Sequence, residues 1–156
     1  MDVRPSIRLL ALVVIPAMLS ACAPSLSPLY RDYEFRDEAR THEAVRAGIE
    51  TALTEAGWQL ASPSAPNVVT TEMRSFINWG LYKVEARLEV VPIGGEYVRV
   101  FVHPYRKYIT GGRGKIPYMK GSIRRAIIPK LNRALETQGL VPIGSARSRD
   151  KASAGG

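Results

Sequence analysis

His42 and His103 are the only imidazoles in the sequence, and so its only ready bases for acid–base work near neutral pH. His42 stands among Thr41, Glu43 and Arg46 on a segment with helical periodicity, the setting of a solvated surface histidine. His103 precedes Pro104 at the end of a strand pattern. Glu85 and Glu89 alternate with Lys83 and Arg87; on a strand they would lie about 13 Å apart, at roughly 3.3 Å per residue, too far to act as a carboxylate pair. No Ser stands in a G-x-S-x-G elbow, and no cluster of His, Cys and carboxylates has metal-ligand spacing. Thr110–Lys115 (TGGRGK) fails the phosphate-binding P-loop pattern, because Ile109 stands where the first Gly belongs and Ile116 follows the Lys in place of Ser or Thr. The sequence therefore leads us to expect a non-catalytic protein with no cofactor and no metal.

What remains is charge. Between His103 and Arg125 stand Arg106, Lys107, Arg113, Lys115, Lys120, Arg124 and Arg125, with no Asp or Glu, and Tyr105, Tyr108 and Tyr118 are set among them. The whole chain carries +8, unevenly divided: from Cys22 to Val98 there are seven Lys or Arg against eleven Asp or Glu, and from Arg99 to Gly156 thirteen against two. The run Arg99–Arg133 holds ten cations and no acid, whereas a mixed surface would give the same solubility with less self-repulsion. We expect the seven basic residues from Arg106 to Arg125 to form an anion-binding surface, with a Gly-rich loop offering backbone N–H groups beside Arg forks. The three tyrosines suit a membrane interface or a protein contact. Alternatively, an acidic first helix lies beside a basic second one and the charges compensate internally; exposed pairs of that kind contribute only about 0–1 kcal/mol each.

The chain opens with Arg4 and Arg8 ahead of an apolar run, Leu9–Leu19, broken only by Pro16. A dozen apolar residues are too few to span a bilayer, which takes roughly 20, and the order of charge then apolar run is that of a secretory signal. At its end stand Leu19, Ser20, Ala21 and Cys22, the only cysteine. This tetrad resembles the lipobox of bacterial lipoproteins. The resemblance implies cleavage before Cys22 and lipidation of Cys22, which leaves no thiol for a disulfide. It also implies that Ala23, where an Asp would retain the protein at the inner membrane, directs it to the outer membrane with its domain in the periplasm. An extracytoplasmic address argues against a nucleic-acid partner, although basic and aromatic residues together would otherwise suit one.

The elements that must position these residues follow from periodicity. We expect a signal peptide over 1–21, a lipidated Cys and tether over 22–36, a domain over 37–140 and a disordered tail over 141–156. Asp37–Ala56 has apolar residues at helical spacing, Val45, Ile49, Ala52, Leu53 and Ala56, with Gly57 as a stop. Trp58–Ala61 and Val68–Phe76 read as strands, with Asn78–Gly80 as a turn. Leu81–Val91 and Tyr97–Tyr105 alternate cleanly about a Gly-Gly turn and make a hairpin. Lys120–Gln138 is a second amphipathic helix with Gly139 as its stop, and Pro129 inside it should kink or divide it. The order gives an α+β two-layer sandwich: an antiparallel sheet of three to four strands with an N-terminal and a C-terminal helix on one face. It is loosely similar to small periplasmic lipoproteins that assist outer-membrane assembly, at the level of architecture only.

The function expected is that of a membrane-anchored envelope lipoprotein whose basic loop and C-terminal helix bind an anionic component: a lipid headgroup, lipopolysaccharide or an acidic protein. The alternative is an adaptor subunit of an envelope complex that binds protein through the sheet face of Tyr97, Phe101 and Tyr105 or through Ile77 and Trp79.

Overall fold

A computed structural model describes residues 28–36 and 40–143; the expected signal peptide, Cys22 and the tail beyond Ile143 lie outside the described residues. The centre is a hairpin of two twelve-residue strands, β5 (Tyr82–Ile93) and β6 (Tyr97–Tyr108), in unbroken register from Tyr82↔Tyr108 to Ile93↔Tyr97. Gly94, at φ +65°, opens the turn between them in a conformation that disfavours a Cβ. Alternation sends Val84, Ala86, Leu88 and Val90 of β5 and Val98, Val100 and Val102 of β6 to one buried face. Against that face lie α1 (His42–Glu55), which buries Val45, Ile49, Ala52 and Leu53, and α2 (Gly121–Thr137), which buries Ile123, Ile127, Leu131 and Leu135, all in one core. Thr41 caps α1, its Oγ1 accepting from the Ala44 N–H, and Gly57 follows the helix at φ +82°.

Shorter strands flank the hairpin. Along β5 run β3 (Val69–Thr71), opposite Val90 and Glu89, and β4 (Arg74–Asn78), opposite Ala86 to Lys83. Along β6 run β1 (Tyr30–Phe35), opposite Phe101 to Tyr97, and β7 (Arg113–Lys115), opposite Tyr105 to Lys107. Outside these, β2 (Leu60–Ala61) pairs with β3, and β8 (Leu140–Pro142) with β1. The fold is α+β with a mostly antiparallel sheet of eight strands, so the expected three to four strands were too few. Strands of two or three residues are too short to display a period of two.

Four further expectations need correcting. The tether over 22–36 ends in a strand: Arg31, Tyr33 and Phe35 point to the helix face, and Tyr33 is 0% exposed. The tail over 141–156 begins with two residues of β8, and Val141 is buried. The strand over Val68–Phe76 is broken after Thr71, where Glu72 N–H turns to the Gln59 carbonyl and the Thr71 hydroxyl accepts from the Leu88 N–H in place of a backbone carbonyl. Helix α2 runs continuously through Pro129. That residue is exposed, so the Arg125 carbonyl deprived of its partner faces the solvent side of the helix.

Tyr33 decides whether β1 belongs to the domain. Its hydroxyl donates to Asn132 Oδ1 at 2.8 Å, joining β1 to α2. Tyr33→Ala should cost about 3–5 kcal/mol in a urea melt, whereas a residue in a mere tether would cost nothing. Burial pushes the phenol's pKa up, with Arg31 opposing and Glu136 adding to it. The unfolded chain therefore ionises first, and stability is intact below about pH 10 and falls above it, by up to about 1.4 kcal/mol per pH unit from this residue. Tyr33→Phe should flatten that part of the alkaline loss.

Candidate functional site

The acid-free run Arg99–Arg133 does not fold into one surface. Its first part lies on the outer face of the sheet, which no described element covers, and there it meets acids from the other half of the chain. Arg99 forks onto Asp32 of β1, Nε to Oδ1 at 2.6 Å and Nη2 to Oδ2 at 2.9 Å, with its guanidinium 4.6 Å from the Tyr30 ring centroid. Glu89 takes His103 Nε2 at 2.9 Å and Arg87 Nη2 at 3.1 Å. Glu85 is 7% exposed although it faces outward, and receives Ser75 Oγ at 3.3 Å, Arg113 Nη2 at 3.3 Å and, more distantly, Lys107 Nζ at 3.9 Å. Tyr30, Phe101 and His103 rings line up between these pairs. Charges segregated in sequence are thus paired across strands, and His103 serves Glu89.

The expected basic loop is a hairpin. β6 extends to Tyr108, the turn closes with Gly111 N–H on the Tyr108 carbonyl and Tyr108 N–H on the Gly112 carbonyl, and β7 returns beside Tyr105, Arg106 and Lys107. Gly111 supplies φ +88°, and the Tyr108 ring passes Gly112 and Gly114 at ordinary contact distance. The glycines thus build a turn, and the Gly111 N–H is already engaged. Arg106 rests over Tyr82, whose ring is 6.0 Å from that of Tyr108, and Lys120 lies over Tyr118. Lys115 has no acidic partner among the described residues. Tyr105 lies on the outer face, Tyr108 near the hairpin tip and Tyr118 on the way to α2, so the three do not line up as one band. Ile77, opposite Val84, packs on the core, away from the exposed Trp79 with which it was grouped.

Arg124 and Arg125 lie on α2 with a partner that sequence reasoning assigned to the tether, Arg31. Two clefts of about 210 and 480 Å³ share Arg31, Arg124 and Ile128 in their walls. The smaller adds Pro28, Tyr30 and Met119; the larger adds Gly121, Arg125, Pro129 and Asn132. Arg31 Nε is buried without a hydrogen-bond partner, and among the described residues no carboxylate pairs with Arg31, Arg124 or Arg125. Lys120 at the N-cap of α2 supplies no side-chain acceptor, and the first turn holds no acid. Small-ligand sites span about 300–1,000 Å³, so the larger cleft can seat a phosphate with part of the group that bears it. The alternation of Arg31, Tyr33 and Phe35 was the signal that could have brought Arg31 in.

A third cleft, of about 400 Å³, holds Lys130 and Arg133 beside Glu55, Arg74 and Thr137. Arg74 is structural there: it donates to the Ala56 and Gly57 carbonyls and lies over Trp58 and Phe76. The helices do lie side by side, but the bond between them is Thr137 to Glu55, not a row of ion pairs. No group of three or more His, Cys, Asp or Glu could hold a metal among the described residues.

No protein-family model and no curated protein sequence matches the chain.

Glu85 holds the outer face together at its β7 end. Glu85→Ala should cost about 1–2 kcal/mol by chemical denaturation, since a buried acceptor serving Ser75 and two cations is lost. Lys107→Ala and Arg113→Ala should each cost under about 1 kcal/mol, because both cations are half exposed and regain water.

Proposed function

We propose that the protein is a non-catalytic, lipid-anchored envelope lipoprotein that binds a phosphate-bearing envelope lipid or glycolipid. The observation that carries this is the cleft of Arg31, Arg124 and Arg125, three guanidinium groups gathered from β1 and α2 without a described acid among them. Guanidinium forks match phosphate oxygens in two-point geometry. The lipobox supplies the anchor, and among the described residues no helix is long and apolar enough to cross a membrane. The outer-membrane address rests on Ala23 alone. A second reading, an adaptor that docks protein, is favoured by the uncovered outer face, where Tyr30 and Tyr97 are exposed beside Phe101.

Replacing Cys22 with Ser should move the protein from the membrane fraction to the soluble or precursor fraction. Lipid-free protein from residue 22 should bind phosphorylated lipopolysaccharide, and Arg124→Gln with Arg125→Gln should weaken it about tenfold or more, as should raising salt. Equal binding to dephosphorylated lipopolysaccharide would overturn the phosphate assignment. Binding lost instead through Tyr97→Ala or Phe101→Ala would favour the adaptor.

A further inference from the structure

Four of the nine exposed large apolar side chains among the described residues, Trp79, Leu81, Tyr108 and Ile109, are gathered at one end of the sheet. Backbone bonds put them there: Ile109 N–H donates to the Leu81 carbonyl at 3.2 Å, and Leu81 N–H to that of Trp79 at 3.0 Å, so the turns before β5 and after β6 lie side by side. Trp79, Leu81 and Ile109 are 61%, 73% and 74% exposed, values that core packing does not explain. Lys83, Lys107 and Arg113 sit in the adjacent register row; Lys107 and Arg113 share Glu85 but stay half exposed, and the exposed Lys83 has no acidic partner among the described residues.

We propose that this end of the sheet is a membrane-dipping tip: Leu81 and Ile109 enter the acyl boundary of an anionic bilayer, Trp79 and Tyr108 lie at headgroup level, and the cations meet lipid phosphates. Amphipathic aromatics beside apolar and basic residues are the composition of an interfacial anchor. The position of the chain's entry supports a lipid surface over a protein. The Leu29 carbonyl accepts from Val102 N–H, and β1 runs from there away from the tip, so β1 begins at its end nearer the tip. Six residues of β6 separate Val102 from Tyr108, about 20 Å, and the seven steps from Cys22 to Leu29 reach about 25 Å at most. A lipid on Cys22 and the tip can therefore share one plane. This rests on the lipid-anchor reading, and the test separates the two.

The full lipidated protein is reconstituted in vesicles of anionic and zwitterionic phospholipid with brominated acyl chains, beside Trp79→Phe. Trp58 is buried in the core and serves as the internal control. We expect quenching and a blue shift of emission in the wild type, both absent in Trp79→Phe, and a loss of about tenfold in vesicle affinity of lipid-free chain for Leu81→Ser or Ile109→Ser. Protein that floats with the vesicles while Trp79 stays unquenched overturns the tip and leaves the anchor standing. Protein that fails to float overturns the anchor; adding vesicles to it then decides the tip, and unchanged Trp79 emission sinks that too.

Discussion

The unbroken register between β5 and β6 is the constraint on which the other elements depend. A pleat of period two sends seven aliphatic residues from these strands to one side, and a slip of one residue would turn all of them to water. Both helices bury their stripes on that face. The two outer edges of the hairpin then template β1, β3, β4 and β7. Short strands such as β7 could not hold their conformation alone; they borrow a ladder that the hairpin has already fixed.

The same register solves an electrostatic problem. Ten successive cations in Arg99–Arg133 would repel one another in a continuous patch. Antiparallel pairing instead brings acids of the N-terminal half to two of them, Asp32 to Arg99 and Glu85 to Arg113, and sets Glu89 against His103 between. Asp32 and Glu89 lie in strands beside their partners, where cross-strand neighbours approach closely, and Arg113 reaches Glu85 across β6. Among the described residues, the cations left without an acid include Lys115 near the hairpin end and Arg124 and Arg125 on α2. A charge already satisfied by the fold has less to offer a ligand than one left open.

Elements long enough to repeat their period were legible in the sequence: both helices, their glycine stops and the central hairpin. The edges were not. β1 is hidden behind Pro24 and Pro28, which read as tether chemistry, and its inward residues include Arg31, which breaks the apolar alternation. The composition of TGGRGK suggested an anion-cradling loop, but conformation decided otherwise, because two N–H to carbonyl bonds close it as a turn. Trp79 and Ile109, thirty residues apart, were brought together by strand pairing, which no local window reports. The lipobox is the opposite case: a signal read entirely from sequence, on residues outside those the structure describes.

On the proposed orientation the two cationic regions have different work. Along β6, Val100, opposite Arg31, stands eight residues from Tyr108, about 27 Å. That is some three Debye lengths at physiological salt, so bilayer surface charge is almost fully screened at the level of the cleft. Simple headgroups beneath the tip therefore cannot be what occupies Arg31, Arg124 and Arg125. An anion reaching them must project well above the bilayer plane, as phosphates on an extended glycolipid do, or arrive on a neighbouring molecule. The tip would fix height and tilt, and the cleft would select what stands beside the domain.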